Sequence, residues 1–280
     1  MTLGVMANTF GKAKPQRGKS KTTNKHKKSV VSMIDEIIVN ADIILEILDA
    51  RFVEKTRQRE IEDKILDREK ILIRVLNKSD LVEKKKVYSD MELEELRPFV
   101  LFSAKERKGT LALKSIIKKE AKKIKKDAVN VGIIGYPNVG KSSITNILSG
   151  KSSAKVSAES GYTKGIQKIR LAQGIYLIDT PGIILEDENP LLSQHAIKHS
   201  KIGAVTWDKT KNPEMVVGNL VEEYPGVLEK HYGIDAGGDS EVLIEELGRK
   251  IAFLKKGNLV DETKTAKKIL RDWQEGKIKQ

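Results

Sequence analysis

The chain has 280 residues, of which 39% are hydrophobic, no cysteine and a formal net charge of +13. That length fits one large domain or two smaller ones around a real buried core. The lack of Cys excludes disulfides and thiolate chemistry and suits a reducing cytosol, no run of about eighteen apolar residues exists to cross a membrane, and no apolar signal-peptide core is seen at the amino terminus.

The charge is concentrated early. From Met1 to Ile34 there are eight Lys and Arg residues and no Asp or Glu. Lys12, Lys14, Arg17, Lys19, Lys21, Lys25, Lys27 and Lys28 sit among Gly, Ser, Thr, Asn and Pro. Such a stretch cannot bury enough apolar surface to order itself. Residues 1–29 are therefore expected to be a disordered basic tail, either a solvated one or an arm for a polyanion.

A helix is expected from Val30 to Asn40, then an apolar strand from Ile43 to Leu48 ending at Asp49. Glu60 to Arg68 reads as a helix and Ile71 to Leu76 as the next strand. A charged helix over Tyr88 to Leu96 and a short strand over Phe99 to Phe102 follow. The run Lys114 to Lys126 carries Ile116, Ile117, Ala121 and Ile124 at helical spacing, which predicts an amphipathic helix with a lysine-rich outer face. With the basic tail, it favours RNA over a merely solvated surface. Val129 to Ile134 predicts a strand running into a glycine loop, and Ser142 to Ser149 the helix after it. Gln167 to Leu171 and Ile175 to Ile178 flank the Gln173-Gly174 turn as two more strands. Strands alternating with helices over short links predict an α/β fold, a mostly parallel sheet with helices on both faces, over residues 30–189.

Residues 190–280 change character and are expected to form a small all-helical domain. Asn212-Pro213-Glu214 is a helix-start signal with a side-chain cap, and Pro225-Gly226 breaks that helix. Ser240 is expected to cap a helix over Glu241 to Lys256 that Gly257 ends. Asp261 is expected to cap a last helix with Ala266, Ile269, Leu270 and Trp273 inward, ended by Gly276. Trp207 and Trp273 read as packing residues. His195 and His199 stand four apart on a predicted helix, but no third ligand accompanies them, so a zinc site is not expected.

Three motifs carry chemistry. Gly135-Tyr-Pro-Asn-Val-Gly140-Lys141-Ser142 follows a predicted strand and opens a predicted helix, the context a phosphate loop requires. Backbone N–H groups of Asn138, Val139, Gly140, Lys141, Ser142 and Ser143 can converge on phosphates there. Lys141 is expected on the β- and γ-phosphates and the Ser142 hydroxyl on Mg2+. Asp179-Thr180-Pro181-Gly182 ends a strand. Asp179 is expected to hold Mg2+ through water, and the Gly182 N–H to face the γ-phosphate. Thr163, in the polar loop between these motifs, is the candidate switch threonine for Mg2+ and γ-phosphate; its rival Thr145 lies inside a helix.

The third motif, Asn77-Lys78-Ser79-Asp80, also follows a strand. Asp80 can accept from the N1–H and 2-amino group of guanine, which adenine lacks, so ATP would leave a buried carboxylate unpaired. Asn77 can meet the Hoogsteen edge, and the Lys78 stem can cover the ring plane. Ser103-Ala104-Lys105, after another strand, can offer the Ala104 N–H to guanine O6. The ligand class is thus GTP or GDP with Mg2+.

The guanine motif precedes the phosphate loop, which ordinary GTPases place first. This cyclic order resembles the circularly permuted GTPases of the YlqF/YawG family, which act in large ribosomal subunit assembly. Asp49-Ala50-Arg51 and the closing stretch from Ile269 to Ile278 are similar to family signatures too. The resemblance implies a P-loop GTPase that hydrolyses GTP on a large-subunit precursor and its rRNA; a cytoplasmic monomer is expected. A glutamine orients water in Ras-like enzymes; its position here is Ile183, as in the family. Asn138 matches the position used by potassium-activated GTPases of similar type, so K+ is admitted as a further cofactor; a loop-forming Asn without an ion is the alternative. Bacterial members carry a Phe-Pro-Gly-His element thought to supply a water-positioning histidine. It is missing here, and His26 has the wrong neighbours, so slow hydrolysis until a ribosomal particle or RNA stimulates it is expected. Arg51 is either a helper in catalysis or a structural contact to the sheet. A GTP-gated RNA scaffold with incidental hydrolysis is the alternative function. A tRNA-modifying GTPase is disfavoured, because no additional catalytic domain or cysteine is evident.

Overall fold

Seven residues, Ile43–Asp49, form β1, and every one of them is buried. A continuous apolar run of this kind belongs at the centre of a parallel sheet covered on both faces. The computed structural model describes residues 30–82, 94–150, 155–156, 167–179 and 200–278. Most of the expected helix Tyr88 to Leu96, the basic tail, Thr163, Gly182, Ile183, His195 and His199 lie outside the described residues.

Around β1 stand β2 (Ile71–Asn77), β3 (Phe99–Leu101), β4 (Val129–Gly135), β5 (Lys155–Val156), β6 (Gln167–Ala172) and β7 (Ile175–Asp179). They make one seven-stranded sheet in the order β3-β2-β1-β4-β7-β6-β5. The first five in that order run parallel, while β6 and β5 are antiparallel additions. The α/β expectation holds, with strand ends within a residue or two of those expected.

Side chains alternate across a strand, so each strand feeds two cores. Ile43, Leu45 and Ile47 face α4 (Thr110–Ala121) and α5 (Lys141–Ser149) through Leu113, Ile117, Ile144 and Leu148. Ile44, with Leu72 and Ile134, faces Ile37 and Ile38 of α1 (Val30–Asn40) and Ile65 of α3 (Arg59–Asp67). A short helix α2 (Val53–Thr56) follows β1. Helix α4 starts and stops earlier than the lysine pattern suggested, because Leu113 joins its buried face while the chain past Lys122 turns away.

The α1–α3 face also buries charge. Glu46 is 1% exposed. Its neighbour Glu62 takes two hydrogen bonds from Arg57, both at 2.8 Å, and an ion pair from Arg74. Burial pushes Glu62 up, but Arg57 and Arg74 outweigh it and hold the group near 2, to which it is lowered. Burial raises Glu46 to about 8, helped by the charge of Glu62. The folded value of Glu46 lies above its unfolded one. Its neutral form therefore supports folding at low pH, and that support drains away as pH rises through about 8. Glu46→Gln should remove this slope. Denaturant titrations should show little change at pH 5 and a gain on the order of 1–3 kcal/mol at pH 8.5. Equal differences at both values would mean that Glu46 ionises freely.

The second half packs α6 (Pro213–Glu223), α7 (Val227–Tyr232), α8 (Ser240–Lys250) and α9 (Glu262–Gln274) around Val217, Leu220, Leu243, Leu247, Ile269, Leu270 and Trp273. Phe52, from the loop after β1, enters the same core. Asp261 caps α9 as expected, accepting from the Lys264 N–H at 3.1 Å, and Trp273 is 1% exposed. Two expected caps differ. Asn212 makes no side-chain cap bond, the proline at the start of α6 being the operative signal. Asp239, not Ser240, caps α8 by accepting from the Glu241 and Val242 N–H groups. Helix α8 ends at Lys250 rather than Lys256, because Leu254–Lys255 (β8) and Leu259–Val260 (β9) pair as a hairpin. Gly257 and Asn258 both have positive φ and turn that hairpin instead of ending a helix, so the unit is not purely helical.

No helix among the described residues is long and apolar enough to cross a membrane.

Candidate functional site

All five parallel strands end at one edge of the sheet. From β1 the connections move out through β2 and β3 on one side and through β4 and β7 on the other. The loops leaving β1 and β4 therefore diverge, and a crevice opens outside their carboxyl ends, where ligands bind in open α/β sheets. The expected motifs follow β2, β3, β4 and β7 at this edge.

Asn77 joins three of these loops. It ends β2 and is 2% exposed. Its Nδ2 donates to the Val139 carbonyl at 2.7 Å, and its Oδ1 accepts from the Ala104 N–H at 3.1 Å. Sequence reasoning placed Asn77 on the Hoogsteen edge and the Ala104 N–H on guanine O6. In the structure these groups hold each other, because an amide with one donor side and one acceptor side satisfies two buried backbone groups at once. Asn77 is thus the keystone between the guanine motif, the phosphate loop and the Ser103-Ala104-Lys105 turn.

Asp80 sits half-buried in a single 3-10 turn, Ser79–Leu81. Its Oδ1 accepts from the Ser103 hydroxyl at 2.6 Å, and Ser103 is fully buried. The same hydroxyl accepts from the Glu106 N–H at 3.1 Å, which fixes its direction. Ser103 thereby orients the Asp80 carboxylate. Lys105 is exposed. Lys78 has a left-handed backbone with φ of 63°, and its Nζ lies 2.8 Å from Asp49 Oδ2.

The phosphate loop is shaped for close backbone approach. Gly140 has φ of +104°, and a Cβ there would lie 2.2 Å from Asn77 Nδ2. Only glycine tolerates both demands. Val139 anchors the loop in the core at 1% exposure. Lys141 opens α5, and its Nζ donates to the carbonyls of Gly135 and Tyr136 at 2.9 and 2.5 Å. Ser142 and Ser143 are exposed on the first turn of α5, and β7 ends at Asp179, paired with Gln167. No cluster of metal-ligating His, Cys, Asp or Glu occurs among the described residues.

Burial lowers the Lys141 ammonium to about 8. An anion seated on the loop would favour its charged form and raise that value. Nucleotide affinity should therefore fall as pH rises through about 8, with proton uptake on binding at pH 8.5. Calorimetry in two buffers of different ionisation enthalpy checks this; binding without proton uptake would mean that Lys141 stays charged in the empty loop.

Two connections here had no clear sequence signal. Asn138 has φ of 58° and donates its Nδ2 to the Gly203 carbonyl at 3.0 Å. Tyr136 packs against both the sheet core and the helical core. An aromatic inside a glycine loop was the one available hint. Arg51, left open between catalysis and structure, makes a structural contact. It clasps Asp49 through Nε and Nη2 at 3.0 and 2.8 Å and donates to the Trp273 carbonyl at 3.0 Å.

Comparison with known proteins agrees with this geometry. A family model described as "50S ribosome-binding GTPase" matches residues 130–228. An uncharacterised GTP-binding protein of Methanocaldococcus jannaschii is 38% identical over 257 residues, covering 89% of this chain and 66% of that protein. Nucleolar GTP-binding protein 2 of Neurospora crassa is 35% identical over 269 residues, covering 91% of this chain and 42% of its own length. The chain thus spans two thirds or less of these curated relatives. The solved structure of GNP-bound YlqF from T. maritima aligns with a TM-score of 0.61 at 23% identity, covering 88% of this chain and 93% of that one. At that identity the likeness establishes the fold.

Proposed function

Because this chain belongs to the circularly permuted GTPase family that includes YlqF and the nucleolar GTP-binding proteins, we propose that it binds GTP and GDP in the crevice at the carboxyl edge of its sheet, hydrolyses GTP and acts in assembly of the large ribosomal subunit. The observation that carries the reading is the Asn77 keystone. One buried amide locks the Asp80 loop, the Gly140 loop and the Ala104 turn together at 2.7 and 3.1 Å. Loops held together in this way would enclose one ligand that has both a guanine and a phosphate end.

Asp80 would accept from the guanine N1–H and 2-amino group, with Ser103 holding the carboxylate in place. The loop from Asn138 to Ser143 would receive the phosphates, with Lys141 supplying positive charge. The loop fits that group: a side chain at Gly140 would fill the approach to Asn77. The exposed Ser142 hydroxyl and the Asp179 position suit an oxygen-ligated divalent cation, Thr163 would complete that set, and the Gly182 N–H would face the γ-phosphate. Mg2+ bound there would neutralise charge on the β- and γ-phosphates. For K+, Asn138 would have to offer its Oδ1, since its nitrogen is committed to Gly203. Residues 190–280 and the basic tail of 1–29 would hold rRNA, with steep salt dependence.

Calorimetry with GDP and ADP at millimolar Mg2+ tests the nucleotide reading. Binding of GDP and not ADP is expected; equal uptake of both would overturn it. Cosedimentation with large-subunit particles under GDP and a non-hydrolysable GTP analogue tests the partner. Identical pelleting under both nucleotides would remove the ribosomal part.

A further inference from the structure

An unbroken chain of polar contacts runs from the guanine motif to the last helix. Lys78 Nζ lies 2.8 Å from Asp49 Oδ2. The same carboxylate receives Arg51 Nε at 3.0 Å and Nη2 at 2.8 Å, and Arg51 Nη1 reaches the Trp273 carbonyl at 3.0 Å. Asp49 is fully buried and the Arg51 side chain is 7% exposed, so the Arg51 fork is shielded from water, while the Lys78 side chain keeps 23% exposure. The Arg51 guanidinium lies 5.0 Å over the Phe52 ring, which in turn stacks on Trp273 at 6.2 Å. A second contact runs alongside. Gly276, just past α9, has φ of +72°, and a Cβ there would lie 2.5 Å from Leu81 Cδ1, next in sequence to Asp80.

We propose that Asp49 and Arg51 are positioning residues for the guanine pocket, through which base occupancy and the seating of α9 on the sheet support one another. The proposal rests on the reading of Lys78 and Asp80 as guanine contacts. The physical chain is short. Asp49 anchors the Lys78 ammonium and so sets where the Lys78 stem lies. A base resting on that stem excludes water from the Lys78–Asp49 pair and strengthens it. A carboxylate held firmly on one side stays aligned for the Arg51 fork on the other, and the fork fixes the end of α9. Linkage makes the effect mutual: whatever seats α9 raises guanine affinity by the factor with which guanine seats α9. One carboxylate between two cations is the essential member, since without it Lys78 and Arg51 repel each other in a largely buried site.

The deciding variant is Arg51→Gln in the full chain, which keeps the Lys78–Asp49 pair and removes the fork. Amide hydrogen exchange over 262–278, with and without GDP, is read beside calorimetric GDP affinity. In the unsubstituted protein GDP should slow exchange over 262–278 as well as over 135–143. In Arg51→Gln the slowing over 262–278 should vanish, that over 135–143 should persist, and GDP affinity should fall about tenfold. Asp49→Asn, if it folds, should lose more affinity than Arg51→Gln; the latter decides the matter either way. A purely structural Arg51 would lower thermal stability and leave the GDP-dependent difference intact, which would overturn the proposal. So would GDP binding that leaves 262–278 unchanged in the unsubstituted protein. If that protein binds no GDP at all, the guanine reading itself fails and the relay loses its ligand, an outcome distinct from the other two.

Discussion

Asp80→Asn should lower GTP and GDP affinity about a thousandfold and turn the preference toward xanthosine nucleotides. Asp80 presents two acceptor oxygens, and the Ser103 hydroxyl already binds one of them at 2.6 Å. Guanine brings two donors to that edge. An asparagine there replaces one acceptor with an NH2, which faces a guanine donor and leaves both unpaired. Xanthine carries a carbonyl in place of the 2-amino group and can accept from that NH2. Because Ser103 can still donate to the remaining amide oxygen, the turn should keep its shape and the variant should fold. Competition calorimetry with GDP and XDP reads the switch directly. Undiminished GDP affinity in the variant would overturn the assignment of Asp80.

Gly140→Ala should abolish measurable nucleotide binding and destabilise the protein by about 2–4 kcal/mol. Two independent penalties combine. The φ of +104° is one that L side chains rarely adopt, and the added methyl would lie 2.2 Å from Asn77 Nδ2. Asn77 cannot yield without giving up its bond to the Val139 carbonyl, and that carbonyl is the joint between β2 and the phosphate loop. The expected signature is a joint loss: a lower unfolding midpoint and no GDP heat. Normal GDP binding in a destabilised variant would show that the loop tolerates displacement of the keystone, and that Asn77 is dispensable to it.

Much of the fold was legible because the strands announce themselves. Ile43 to Leu48 and Val129 to Ile134 are apolar runs of strand length, and buried parallel strands leave little else for such runs to be. That Asn77, Asp80, Gly140 and Lys141 stand together at the carboxyl edge of the sheet was legible from motif spacing after predicted strands. What the sequence hid was the use of those groups. That Asn77 spends its amide on Val139 and Ala104 depends on loops distant in sequence coming together. That the Ser103 hydroxyl donates to the carboxylate of Asp80 depends on two such loops as well. The same blindness covered Asn138 and Gly203, whose bond joins two units that no local pattern relates. At the helix ends the misreadings were local competitions. Asp239 took the cap that Ser240 could have made, and the hairpin around Gly257 and Asn258 displaced the last turns of α8.

The placement of β1 has a consequence for how the chain is made. This central strand leaves the ribosome shortly before β2, but its other edge must wait for β4, which emerges only after β2, β3 and α4. During that interval an apolar strand offers unpaired backbone groups to any passing partner. The edge of β1 that pairs with β4 thus stays open while the roughly 80 residues between Asp49 and Val129 are made, a hazard that the opposite order of the two halves would avoid.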